Sequence, residues 1–153
     1  FLPLMLSEAY SLHAKSVAHD TTMPLNTRTR LQAGATIDPA DVTRARARVG
    51  DLIRAVDTMW ERVDLLVFGV VPGDPPRIDT IDPLAYMHAP MLAVPANLVG
   101  TPAVSVPCGV SKVGLPMGFQ ILAPRLGDDM VLRVAHAYET ATCQTGRPLY
   151  PAT

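Results

Sequence analysis

Residues 95–123 read Pro-Ala-Asn-Leu-Val-Gly-Thr-Pro-Ala-Val-Ser-Val-Pro-Cys-Gly-Val-Ser-Lys-Val-Gly-Leu-Pro-Met-Gly-Phe-Gln-Ile-Leu-Ala. Two β-rich runs, Ala103 to Val106 and Met117 to Ala123, flank a turn carrying Gly109, Gly114 and Pro116. Glycine and proline between β-branched and aromatic runs are the mark of a strand–turn–strand unit. A helical approach ends at Gly100-Thr-Pro102, where glycine permits a left-handed stop and proline prevents continuation.

The flanks extend this pattern. Downstream, Asp128 caps a last amphipathic helix to about Thr142, with Val131, Leu132, Ala135 and Tyr138 on its inner side. The proline-rich tail 148–153 is expected to be extended. Upstream, residues 84–99 read as helix interrupted by Pro90 and Pro95. Asp64-Leu-Leu-Val-Phe-Gly-Val-Val71 is a continuous apolar run, as expected of a strand buried on both faces. Asp38-Pro39 opens the clearest helix, an N-cap followed by proline at the first helical position. Val42, Ala45, Val49, Leu52, Val56, Met59 and Val63 then recur at three- and four-residue spacing. The arginines at 44, 46, 48 and 54 lie off that stripe, on a solvated face. Residues 20–37, with Pro24, Asn26 and Gly34, read as a linker with little regular structure. Ser7 is the expected N-cap of a helix from about Glu8 to Val17. Three strands and four helices make an α/β composition.

The bulk numbers bound the function. The 153 residues are 48% hydrophobic and 18% charged, which supports a buried core and excludes a disordered tail. A net charge of -1 with no basic block argues against nucleic acid as a partner. No apolar run approaches the roughly 18 residues of a membrane span, so no membrane partner is expected. The 2 cysteines, Cys108 and Cys143, form no disulfide framework, which favours a reducing, cytoplasmic setting. Phe1-Leu-Pro-Leu-Met-Leu6 has no basic n-region and is not a signal peptide. It reads as the interior of a longer chain, or else as a short apolar arm docked on its own core.

A nucleophile, an activating base and an oxyanion hole do not converge in these residues. Ser11 and Lys15 are four apart on a helix, within side-chain reach. No glycine-rich turn adjoins Ser11 to supply backbone donors, and mid-helix serines and lysines are ordinarily solvated. Cys108, between Pro107 and Gly109, could act as a thiol paired with His88, but such a cysteine is more often a small buried hydrophobe. His13, His19, His88 and His136 show no metal-ligand spacing, and neither a metal nor a cofactor is expected. Ser105, within Val-Ser-Val, reads as a strand residue pointing away from its apolar neighbours.

Several motifs in order resemble the amidase signature hydrolases. The most specific are Asn97-Leu-Val-Gly-Thr-Pro-Ala103, Val106-Pro-Cys-Gly109, Gly114-Leu-Pro-Met-Gly-Phe-Gln120 and Val131-Leu-Arg-Val-Ala135. Weaker ones are Ser7-Glu-Ala-Tyr10 with His13, Thr29 to Gly34, Asp38 to Arg46 and Asp64-Leu-Leu66. The resemblance runs from about Ser7 to Glu139. It implies the C-terminal part of the amidase signature α/β/α fold, a mixed sheet covered by helices, with residues 1–153 forming the C-terminal portion of one domain.

It also implies a mechanism in which one serine attacks an amide carbonyl, a second relays the proton and a lysine is the base, with backbone amides of a Gly/Ser-rich loop holding the oxyanion. No Gly-Gly-Ser-Ser-Gly-like run is present, and neither Lys15 nor Lys112 matches the catalytic lysine. No catalytic residue is therefore assigned to this chain. The implied partners are an N-terminal amidase half and a small-molecule amide, and a homo-oligomer is compatible with the reading. The alternative is a truncated, non-catalytic structural or binding subunit related to amidases.

The substrate-binding residues implied are Met87, Pro90, Met91, Leu92, Asn97 and Arg30. Asn97 and Gly118 also have architectural readings: a backbone hydrogen bond across a helix end, and close approach of a neighbouring backbone. Glutamine-using relatives place an acidic residue seven positions before the Asn-Leu-Gly motif, where this chain has Pro90. Arg30 roughly matches an arginine those relatives use for the substrate carboxylate. The family often has Thr-Pro-Thr-like residues after the Asp-Leu-Leu strand, and this chain has Phe68-Gly-Val70.

Overall fold

The structure, a computed structural model, describes residues 1–81 and 91–142. The expectations for Tyr86 to Pro90, Cys143 and the tail 148–153 lie outside the described residues. The chain packs as two compact units that divide at Arg54 and Ala55, inside one long helix.

In the first unit, helix α1 spans Leu2–His19. It starts five residues before the expected Ser7 cap. Pro3 suits the first turn, where backbone N–H groups lack intrahelical partners, and the apolar residues 2–6 become half-buried as part of the helix. Residues 20–37 are not the irregular linker expected. They fold as α2 (Leu25–Gln32) and a tight 3-10 turn (Ala33–Thr36). α2 buries nothing of its own. It is held instead by Arg28, whose guanidinium donates to the Val17 and Asp20 carbonyls and so satisfies the open C-terminus of α1. Asp20 accepts from the Thr22 N–H at 2.9 Å and the Thr22 hydroxyl at 2.6 Å. Those bonds hold its carboxyl below the ordinary carboxylate range.

Helix α3 (Pro39–Trp60) begins as expected: the Asp38 carboxylate accepts the Ala40 N–H at 2.8 Å. Its stripe from Val42 to Met59 is half-buried, while Val63 falls beyond the helix and is exposed. The arginines are solvated: Arg44 pairs with Asp41, Arg54 with Asp51, and Arg46 with Glu8 at 3.5 Å. Exposed pairs of this kind contribute little stability.

In the second unit, β1 (Leu66–Gly69), β2 (Ala103–Val110) and β3 (Pro116–Leu122) pair antiparallel in the order β1-β3-β2. Helix α4 (Val94–Val99) precedes β2, and α5 (Asp128–Thr142) follows β3. Central β3 carries the core. Ile121 pairs with Val67 on one side and Val104 on the other, and is 1% exposed. α5 covers that face with Val131 and Ala135, while Phe119 meets Tyr138 edge-on at 4.8 Å. Leu132 is not on the inner side. It is 61% exposed, because residues at 131, 134, 135 and 138 repeat every three or four positions and 132 is rotated away from them. The Gly127 carbonyl receives the first N–H groups of α5, so Asp128 is the first helical residue rather than the cap.

β1 is shorter than the apolar run 64–71 and is not buried on both faces. Its burial alternates and Val67 is 58% exposed, since among the described residues β3 is its only strand neighbour. Ser105 is exposed, as its alternation with Val104 and Val106 requires. Cys108 sits where the β2–β3 register shifts between Pro107 and Gly109. A Cβ on Gly118 would lie 3.3 Å from the Val106 carbonyl oxygen, as a close backbone neighbour requires.

Leu126, in the turn between β3 and α5, has φ 66 and is 93% exposed. A leucine there carries the left-handed penalty with no packing to offset it. Leu126→Gly is expected to raise stability by about 0.5 kcal/mol, the relief of strain exceeding the added chain entropy of glycine. A lower thermal midpoint in the variant would contradict this.

Candidate functional site

Helix α4 and the turn before it lead into β2 in the second unit. Met91 and Leu92 lie in that turn, both half-buried, closed by Val94 N–H to the Met91 carbonyl at 3.1 Å. α4 buries Ala96 and Val99 and exposes Asn97. Gly100 ends it with φ 69 and ψ 38, donating to the Ala96 carbonyl at 2.9 Å. This is the stop that Gly100 and Pro102 announce in the sequence. Arg125 Nε donates to the Val99 carbonyl at 3.1 Å and so occupies another of the helix's open acceptors.

Gln120 fastens this turn to the sheet. It is the only buried polar residue among those described, at 4% exposure. Its Nε2 donates to the Leu92 carbonyl at 3.0 Å and to the Gly69 carbonyl at 3.4 Å. A polar side chain within Phe-Gln-Ile-Leu must find partners when the strand is buried, and that is the signal by which sequence reading could have found it.

Of the expected substrate residues, Met91 and Leu92 are half-buried in the turn and Asn97 is exposed on α4. The Asn97 side chain makes no hydrogen bond with a described residue, so the backbone bond expected across the helix end is not formed among them. Arg30 is exposed on α2 in the first unit. Met87 and Pro90 lie outside the described residues, as does His88, the partner considered for Cys108. Ser11 and Lys15 are exposed on α1, and His13, His19 and His136 are exposed as well. Among the described residues no group of three His, Cys, Asp or Glu side chains is placed to hold a metal ion. No described helix is long and apolar enough to cross a membrane.

The family model described as Amidase matches residues 5–132. The chain belongs to the amidase family. A glutamyl-tRNA(Gln) amidotransferase subunit of Synechococcus sp. (strain RCC307) is 44% identical over 108 residues, covering 68% of this chain and 22% of that protein. The same-named subunit of Nocardia farcinica (strain IFM 10152) is 44% identical over 93 residues, covering 59% and 19%. A solved amidase superposes with TM-score 0.77 at 24% identity, covering 92% of this chain and 34% of its own. The Thermotoga maritima glutamyl-tRNA(Gln) amidotransferase subunit superposes with TM-score 0.64 at 27% identity, covering 83% and 30%. The α/β fold expected from the motifs is thus the amidase fold. The chain spans about a fifth of the length of the curated amidase-family relatives it matches.

Proposed function

We propose that this chain contributes sheet and substrate-pocket wall to an amidase that cleaves a linear carbon–nitrogen amide bond with a serine nucleophile outside these 153 residues. The observation that carries the reading is the match over residues 5–132 without the serines and lysine of the family's mechanism. The family chemistry then assigns attack, proton relay and oxyanion stabilisation to another part of the enzyme. Met91 and Leu92 form the acyl side of the pocket, with Asn97 further along the same segment; Met87, Pro90 and Arg30 are candidates on the family resemblance alone. The chain alone, residues 1–153, is expected to turn over no amide.

The acyl group is proposed to be neutral and largely apolar. A glutamine substrate brings an α-ammonium, and a buried charge without a partner is strongly disfavoured. Pro90 offers no acid at the position where relatives have one, while Met91 and Leu92 favour apolar or aromatic groups. The 44% identity to an amidotransferase subunit favours the opposite substrate, so a direct competition between the two is decisive. In the full-length enzyme, kcat/KM for benzamide is expected to exceed that for glutamine. Glutamine preferred over benzamide would refute the pocket assignment.

A further inference from the structure

We infer that Gln120 is a positioning residue of the substrate pocket: its amide ties the Met91–Leu92 turn to the end of β1 and so sets acyl-group selectivity. The inference rests on the reading of Met91 and Leu92 as pocket wall. Gln120 projects from the central strand, with Phe68 and Ser105 as its cross-strand neighbours. It reaches two carbonyls far apart in sequence, Gly69 at the last position of β1 and Leu92 in the turn before α4. A primary amide nitrogen carries two hydrogens, one for each acceptor. A hydroxyl carries one, and an ionised carboxylate none. Serine and threonine are also too short to span from the strand to the turn. The demand at this position is therefore for a two-hydrogen donor on a stem of this length, which explains a polar residue in the middle of an apolar strand.

Among the described residues, the turn is held by the Val94 N–H to Met91 carbonyl closure and by the Gln120 bond to Leu92. Loss of the amide would leave the Leu92 carbonyl without that donor and free the turn to shift. A displacement of about 1 Å in groups that hold a substrate is enough to change rates strongly. Gln120 itself touches no reacting atom in this assignment, so its loss should act on selectivity and KM more than on the chemical step.

The test uses the full-length enzyme with benzamide and acetamide as probes, and the variants Q120M, Q120E, M91A and L92A. Q120M keeps the volume and removes the donors. It is expected to lower the benzamide-to-acetamide ratio of kcat/KM about tenfold, chiefly through KM for benzamide. Q120E keeps the shape but turns an acceptor toward two carbonyls, and should lower the ratio further than Q120M. M91A or L92A should shift the same ratio. If M91A or L92A shifts it while folded Q120M leaves it unchanged, Gln120 is structural only and the inference is overturned, with the pocket reading intact. If none of these variants shifts the ratio, the pocket reading fails and the inference falls with it. Should Q120M not fold, Q120N, which keeps an amide one methylene shorter, is measured in the same way: a shifted ratio supports the inference and an unchanged one overturns it.

Discussion

Gly34→Ala is expected to destabilise the protein by about 3 kcal/mol or more, the upper range for overpacking a closed site. A Cβ at position 34 would lie 2.1 Å from the Leu6 carbonyl oxygen, 2.7 Å from the Leu6 carbonyl carbon and 2.7 Å from Tyr10 Cβ. Two of these are backbone atoms of α1, which no rotamer change can move aside. The 3-10 turn would have to lift off the helix, and its close packing on Leu6 and Tyr10 would be lost. Gly50→Ala is the matched comparison. Position 50 lies inside α3, where a Cβ would meet only the end of the Arg54 side chain at 3.7 Å. There alanine should stabilise by up to about 1 kcal/mol, through helix propensity alone. Denaturant unfolding of the intact protein measures both. Equal effects at 34 and 50 would show that the close approach at Gly34 is absent in solution.

Ile121→Ala is expected to cost about 4 kcal/mol. Isoleucine-to-alanine changes in closed cores cost roughly 2–5 kcal/mol, and this site has the features of the upper half of that range. Ile121 is held on the central strand between Val67 and Val104, with α5 above it through Val131 and Ala135. Strands on both sides and a helix over the face leave little freedom to collapse into the cavity. Leu132→Ala is the control on α5: at 61% exposure it should cost less than about 1 kcal/mol. Thermal or urea unfolding that ranked Leu132→Ala as the more damaging would invert the assigned face of the helix.

The contrast between these positions shows what was legible in the chain. Asp38-Pro39 reads as a helix start because a side-chain cap and a fixed φ act within a few residues, and the structure forms the cap. Gly100-Thr-Pro102 reads as a stop for the same local reason, and Gly100 adopts the left-handed conformation. The amphipathic stripe of α3 and the strand–turn–strand unit are also local patterns, although Gly109 and Pro116, expected in the turn, pair within β2 and β3, and the turn is shorter. So are the motifs between Asn97 and Ala135 that point to the amidase family without any tertiary information.

Other features depend on partners distant in sequence. Residues 25–32 have weak amphipathicity and bury nothing, yet they are helical beside the Arg28 contacts to the end of α1. Gly34 reads as loop punctuation from its neighbours, and only the approach of Leu6 and Tyr10 makes it irreplaceable. The run 64–71 carries no sign of which residues lie at an edge, because edge or centre is a property of the strands beside it. Gln120 marks itself as unusual in an apolar strand, but its acceptors stand 28 and 51 residues away. Local chemistry along the chain determined the family, most element types and the helix stops. Tertiary structure decided which glycine is packed, which face of α5 is inside and what Gln120 holds, since each is set by contacts between segments far apart along the chain.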